Sequence, residues 1–349
     1  MKRLYLLTFL SLSILVLSCS HDRASIVLPD KVKDTAKVLT PEPIDFNLPV
    51  NVTDLAVWKD SIVIINTNGS DGHKFIEFYN INTHELLKDY FIKGNGPGEM
   101  LNCRLNIQSD TIIADDIYRQ NFATIPIHDA LRANAYTPRL EKYSVSTQFF
   151  QPFHNRLLAL NPFCFSDKKH NIDNKATRFI LTDTSYTYKE VHQYEYDTFN
   201  VTPAMFMISY AHNRIFFYSV CLPEIEIYDT DLNLLKKVSG PRLPHNIEYV
   251  ALGKGITFKN AIPNSYRTHC RNSEYIFLAY TGDFTSGEKR YDELYDTWIF
   301  KFDWNGNFID SYYINISTLS MSLSSDGKSL YVFGRNTDGK DVFHKYRLL

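Results

Sequence analysis

The sequence predicts an all-β protein, a six-bladed β-propeller of four-stranded antiparallel blades whose last blade is completed by an N-terminal strand. Six short apolar strands carry that reading: Ser61 to Ile65, Thr111 to Ala114, Arg156 to Leu160, Arg214 to Tyr218, Tyr275 to Ala279 and Ser329 to Phe333. They recur roughly 50 residues apart, the length of one blade. Phe and Tyr are abundant, with 24 and 23 residues, and supply the surfaces that half-buried sheets use. Long helix-period runs are missing after residue 19.

At the N-terminus, Lys2 and Arg3 precede an almost wholly apolar run from Leu4 to Val16. That run is too short for a stable membrane span, so residues 1–18 read as a signal peptide. The run ends in Val16-Leu17-Ser18-Cys19, which resembles the lipobox at which bacterial lipoproteins are cut and diacylated on the cysteine. An ordinary secretory signal with an incidental Cys19 is the alternative. A lipid on Cys19 anchors by burying its chains, so no further apolar anchor is needed. Residues 19–44 are polar and carry Pro29, Pro41 and Pro43, the composition of a tether, and residues 45–349 form the propeller. Ser20 follows the cysteine and Asp22 is the one acid close by; lipoprotein sorting then points to the outer membrane, with either side open. Asp34-Thr35-Ala36 looks like an Asp-Ser/Thr-apolar glycosylation site of Bacteroides-type bacteria.

Each apolar strand is preceded by a candidate innermost strand: Val52 to Trp58, Leu101 to Ile107, Thr147 to Phe153, Ala204 to Tyr210, Tyr266 to Cys270 and Leu319 to Leu323. These line the channel. An outer hairpin completes the unit, most legibly where Trp298 to Phe302 turns through Asp303-Trp304-Asn305-Gly306-Asn307 into Phe308 to Ile314. There Asn-Gly supplies the positive φ of a tight turn. The last unit has three recognisable strands, and its bare edge has to be covered. The segment from Val38 to Leu48 is the predicted cover.

Between the first and second units lies Gly94-Asn95-Gly96-Pro97-Gly98-Glu99. The spacing is not that of a phosphate-binding glycine loop, and a strand rather than a helix N-terminus follows it. Its task is to carry the chain from the rim of one blade to the hub of the next. On this motif and the repeats, the chain resembles the TolB-like six-bladed β-propeller lipoproteins of Bacteroides-type bacteria. That resemblance implies a cell-envelope protein in a group whose relatives include binding scaffolds as well as hydrolases and lyases.

Crossings between blades and the middle hairpin loops share one face of a propeller, the default binding face. Candidate ligand-binding residues on it are Glu99, Asn102 and Arg104, then Arg242, His245 and Asn246, and in a long insert Asp283 and Tyr291. For Glu99 the alternative is a carboxylate that accepts N–H groups of its own turn. The net charge of -2 gives no field for nucleic acid. Cys103, Cys164, Cys221 and Cys270 stand singly, without zinc or redox spacing, as buried thiols, with one disulfide left open. No nucleophile elbow or paired-histidine metal motif occurs, and His154, His212 and His269 read as structural or surface residues. The reading is therefore a non-catalytic envelope lipoprotein that binds a glycan, peptide or partner protein at the channel mouth, without a cofactor. The alternative is a lactonase-like hydrolase or lyase with a divalent ion such as calcium held among Glu99, Asn102, Asn246, Asn264 and Asp283.

Overall fold

The computed structural model describes residues 24–348 except 50, 71, 109, 133–135, 144–148, 161–165, 168–171, 174–175, 183–187, 191–192, 195–203, 253–254, 260, 287–292 and 294–295. The chain forms a six-bladed β-propeller, each blade built from consecutive antiparallel strands. Blade 1 comprises Val52–Trp58, Ile62–Thr67, Ile76–Asn80 and Leu86–Tyr90, and blade 2 comprises Arg104–Gln108, Thr111–Asp116, Asn121–Pro126 and Glu141–Lys142. Blade 3 contains Phe150–Phe153, Arg156–Leu160, Phe179–Thr182 and Tyr188–Glu190; blade 4 contains Ala204–Ser209, Arg214–Ser219, Glu224–Tyr228 and Leu234–Ser239. Blade 5 runs through Ile262–Arg271, Tyr275–Thr285, Asp296–Asp303 and Phe308–Asn315, and blade 6 through Ser317–Leu323, Ser329–Arg335 and Asp341–Arg347. All six predicted apolar strands are the second strands of their blades. They read as continuous apolar runs because both faces of a blade pack on neighbours; Val63, Ile64 and Ile65 are all buried.

Six apolar clusters fill the six gaps between blades. One joins blades 1 and 2 through Ile64, Phe78, Ile112 and Ile125, and another closes the ring by joining blade 6 to blade 1 through Tyr331, Phe333, Val63 and Ile65. At that closure the hub is also stitched by hydroxyls. Leu55 and Val57 donate their edge N–H groups to Ser320 Oγ at 3.0 Å and Ser322 Oγ at 2.8 Å, which satisfies donors that would otherwise face the channel.

Three N-terminal strands, β1 (Ala24–Val27), β2 (Lys37–Val38) and β3 (Pro41–Pro43), run along the rim. β1 pairs parallel to the outer strand of blade 4, with Ala24 opposite Lys236 and Val27 opposite Ser239. β2 pairs parallel to the outer strand of blade 5, with Lys37 opposite Tyr312. β3 pairs antiparallel to Asp341–Arg347 and gives blade 6 its fourth strand, as the sequence predicts. The stretch from Ala24 onward, expected as part of a free tether, is thus strapped to three blades. Single apolar side chains fasten it. Leu28 and Val32 enter the core between blades 4 and 5, Leu39 that between blades 5 and 6, and Phe46 that between blades 6 and 1.

The crossings between blades and the second-to-third strand loops define an upper face; the other hairpin turns define a lower one. Two buried glutamates show how the sheets carry charge between them. Ile76-Glu77-Phe78-Tyr79 in blade 1 and Ile225-Glu226-Ile227-Tyr228 in blade 4 each set a tyrosine hydroxyl against the glutamate two residues earlier. Glu77 also meets His73 Nδ1 at 2.9 Å, whereas Glu226 meets Arg178 at 2.7 Å and Lys237 at 3.0 Å.

Candidate functional site

The channel widens into a cavity at each end. The upper one, of about 760 Å³, is bounded chiefly by blades 1 and 2, with Phe149, Phe150, Met205 and Val220 from blades 3 and 4 across from them. Its polar wall includes Asn66, Asn68, Lys93, Asn102, Arg104, Asn106 and Asp115. Asn102 and Arg104 were legible as candidates. Asn66 and Asn68 were not, although the Asn66-Thr67-Asn68 run that breaks the apolar pattern of Ile62–Thr67 is where that strand reaches the mouth.

Arg104 and Asp115 are register partners on the first two strands of blade 2 and form an ion pair in the wall. Tyr143 donates its hydroxyl to the other Asp115 oxygen at 2.7 Å. Burial raises the Asp115 carboxyl above its ordinary range, and the Arg104 cation pulls against that. The neighbouring Asp116 is fully buried and accepts N–H groups from Leu101 at 2.6 Å and Tyr118 at 3.0 Å. Both carboxylates thus hold the crossing and the wall in place. Asn66 fixes the same crossing, since its Nδ2 donates to the Cys103 carbonyl at 3.0 Å.

Glu99 turns into its own loop. Glu99 N–H donates to the Gly96 carbonyl at 3.2 Å, so Gly96-Pro97-Gly98-Glu99 is a turn with proline second and Gly98 third, at φ 78°, as a type II turn requires. The Glu99 carboxylate accepts the Gly96 N–H at 2.6 Å, and a Cβ on Gly94 or Gly96 would collide with it. Arg119 adds hydrogen bonds to the Gly96 and Glu99 carbonyls at 3.1 and 2.8 Å. The glycines of the motif make room for a folded-back carboxylate. Glu99→Ala is expected to destabilise the fold by about 1–2 kcal/mol and to leave ligand affinity at the mouth unchanged. Thermal melts with a binding titration check this; a large affinity loss at unaltered stability would refute it.

The other candidates lie elsewhere on the upper face. Arg242, His245 and Asn246 are exposed on the crossing from blade 4 to blade 5, where Arg242 N–H donates to Asp30 of the strap at 2.8 Å and the His245 ring rests on Phe284 at 5.7 Å. Asp283 accepts the Phe284 N–H at 2.7 Å, and Asn264 donates to the Ile262 carbonyl at 2.9 Å. None of these five lines the upper cavity. Tyr291 falls outside the described residues, as do Cys19 and Cys164. Among the described residues no group of three or more His, Cys, Asp or Glu side chains gathers as a metal set. Cys103, Cys221 and Cys270 are buried free thiols, and burial pushes Cys221 up to about 12.

The lower cavity, of about 890 Å³, is lined by Trp58, Lys59, Tyr210, Arg271, Trp304 and a run of serines from blade 6. His269 sits half-buried in its wall, hydrogen-bonded with the Tyr218 hydroxyl at 2.8 Å, and loss of solvent around the ring lowers it to about 3, which favours the neutral imidazole. Asp54, which sequence reasoning missed, borders both cavities at the waist of the channel. Burial pushes it up to about 6 against hydrogen bonds from Ser320 and the Leu55 N–H. The folded-state value lies above the unfolded value of 3.8, so stability falls by about 2–3 kcal/mol as pH rises from 4 through 6, and the penalty is absent below 4. Asp54→Asn is expected to exceed the parent in stability at pH 7 and to equal it at pH 4. Urea unfolding at the two pH values measures this, and equal gaps at both would contradict it.

No protein-family model and none of the curated proteins matches the chain in sequence. Solved structures do match in fold. A protein of Bacteroides fragilis predicted to be exported aligns at 13% identity and TM-score 0.55, covering 93% of this chain and 100% of its own. A member of the DUF4221 family from Bacteroides vulgatus aligns at 11% identity and TM-score 0.51, covering 89% and 97%. Streptogramin B lyase follows at 11% identity and TM-score 0.46, covering 89% and 98%, too distant to bear on what this chain does.

Proposed function

We propose that this protein is an exported lipoprotein, anchored through Cys19 to the outer membrane, whose upper channel mouth binds a glycan or peptide segment without transforming it. The composition of the upper cavity carries the reading. Phe75, Phe149 and Phe150 provide apolar wall, and Asn68, Lys93, Asn102 and Arg104 provide polar wall, the mixture of apolar surface and a few directed polar groups that a binding pocket uses. A volume of about 760 Å³ accommodates two or three sugar rings or amino-acid residues. The nearby acids are engaged by the framework: Asp54 with Ser320 and the Leu55 N–H, Asp115 with Arg104 and Tyr143, Asp116 with backbone N–H groups, Glu99 within its turn. The lipobox-like Leu17-Ser18-Cys19 and the likeness to a protein predicted to be exported support the location, and the glycine motif supports kinship with TolB-like propellers.

Titrating mature protein by calorimetry with panels of oligosaccharides and short peptides tests the binding reading. A panel member that binds is expected to lose roughly 10-fold or more in affinity with Asn102→Ala, about 1.4 kcal/mol or above, with the melting temperature retained. Product formation from any panel member, or a stoichiometric calcium ion removed by chelator together with activity, would replace this reading with the hydrolase or lyase one.

A further inference from the structure

The strap fixes where a membrane anchor leaves the propeller. β1 runs parallel to the outer strand of blade 4, and that strand climbs from the turn at Asp229–Asn233 on the lower face to the crossing that begins at Gly240 on the upper face. Ala24 lies opposite Lys236, near the lower end, and Val27 opposite Ser239, at the upper end. β1 therefore starts on the lower side of the rim and runs upward. Leu28 N–H to the Ser239 carbonyl at 2.7 Å and Asp30 accepting the Arg242 N–H pin the strap at its upper end, and buried Leu28 and Val32 prevent it from sliding.

Five residue steps separate Cys19 from Ala24, a reach of at most about 17 Å. Running downward, that length clears the lower edge of blade 4. Running upward, it would first have to reverse, and a reversal takes four residues, which leaves too little to pass the upper end of a six-residue strand and the crossing above it.

We propose that the corner between the rim and lower face of blade 4 is the surface that meets the lipid bilayer, so that the upper mouth opens away from the membrane. This rests on the reading of Cys19 as the lipidated residue. It makes the lower cavity the membrane-side mouth, and leaves the cavity around Asn102 and Arg104 accessible to a large ligand.

The test uses the full chain, matured in a bacterial host, in vesicles of phosphatidylethanolamine and phosphatidylglycerol that carry a headgroup nitroxide quencher. A fluorophore is placed in turn at Asp231→Cys on the lower face of blade 4, Thr83→Cys on the lower face of blade 1, and Tyr118→Cys on the upper face, each with Cys164→Ser. Strong quenching at position 231 and at least 3-fold weaker quenching at 118 are expected, with 83 between them. Quenching at 118 equal to or above that at 231, in protein whose mass shows acylated Cys19, would overturn the orientation alone. A mass showing bare Cys19 would overturn the anchor and the orientation with it.

Discussion

A chain that begins at Pro41 is expected to melt at least roughly 10 °C below the mature protein, although it keeps every strand of the six blades. What it lacks is the rim strap. Leu28, Val32 and Leu39 are each between 4% and 6% exposed, and burying a side chain of this size contributes about 1.5–3 kcal/mol. Backbone pairing of β1 and β2 along blades 4 and 5 goes as well. The loss also bares two outer strand edges with unpaired N–H and C=O groups, which recruit other chains. The truncated protein should therefore aggregate on heating where the mature one refolds. Calorimetry with light scattering decides the matter; identical melts would show that the strap merely rests on the blades.

Replacing Arg178 by Met is expected to cost about 3–5 kcal/mol at pH 7, the range for stranding one partner of a buried ion pair. Arg178 and Glu226 are 5% and 1% exposed. Burial alone would raise the Glu226 carboxyl, yet Arg178 and then Lys237 hold it below its ordinary value. Lys237 is 43% exposed and screened by water, so it cannot replace the guanidinium. The pH dependence identifies the cause. With its value depressed, Glu226 adds stability above the unfolded carboxylate range, and the parent loses that as pH falls through the folded value. Without Arg178, burial prevails and the acid is easily neutralised. The gap between variant and parent should then narrow as pH falls from 7 towards 4. A gap constant with pH would assign the loss to the contact of Arg178 with Phe217, 4.0 Å away, rather than to charge.

The propeller was legible because packing on both faces turns each second strand into an unbroken apolar run, and because blade 6 came one strand short. The strap was not. Leu28, Val32, Leu39 and Phe46 serve one or two to an interface, with spacings of 4, 7 and 7; a helical period could hold them, but so few apolar residues, set among polar ones and Pro29, Pro41 and Pro43, mark neither an alternating strand nor an amphipathic helix, and the stretch resembles a polar linker. At the mouth, Arg104 was legible as a residue of the right face, but its partner Asp115 depends on the register of the hairpin, in which Gln108 pairs with Thr111, and the sequence carries no turn signal that sets it. The Glu99 loop was half legible: proline and glycine announce a turn, while the inward carboxylate needs the geometry of Gly94 and Gly96.

β3 meets the strand Asp341–Arg347 across some 300 positions of sequence. A nascent polypeptide emerging amino end first holds the closing piece from the outset, with nothing for it to close against. Native assembly must wait until the carboxyl end has emerged, so chaperones have an almost complete, unsealed molecule to shelter.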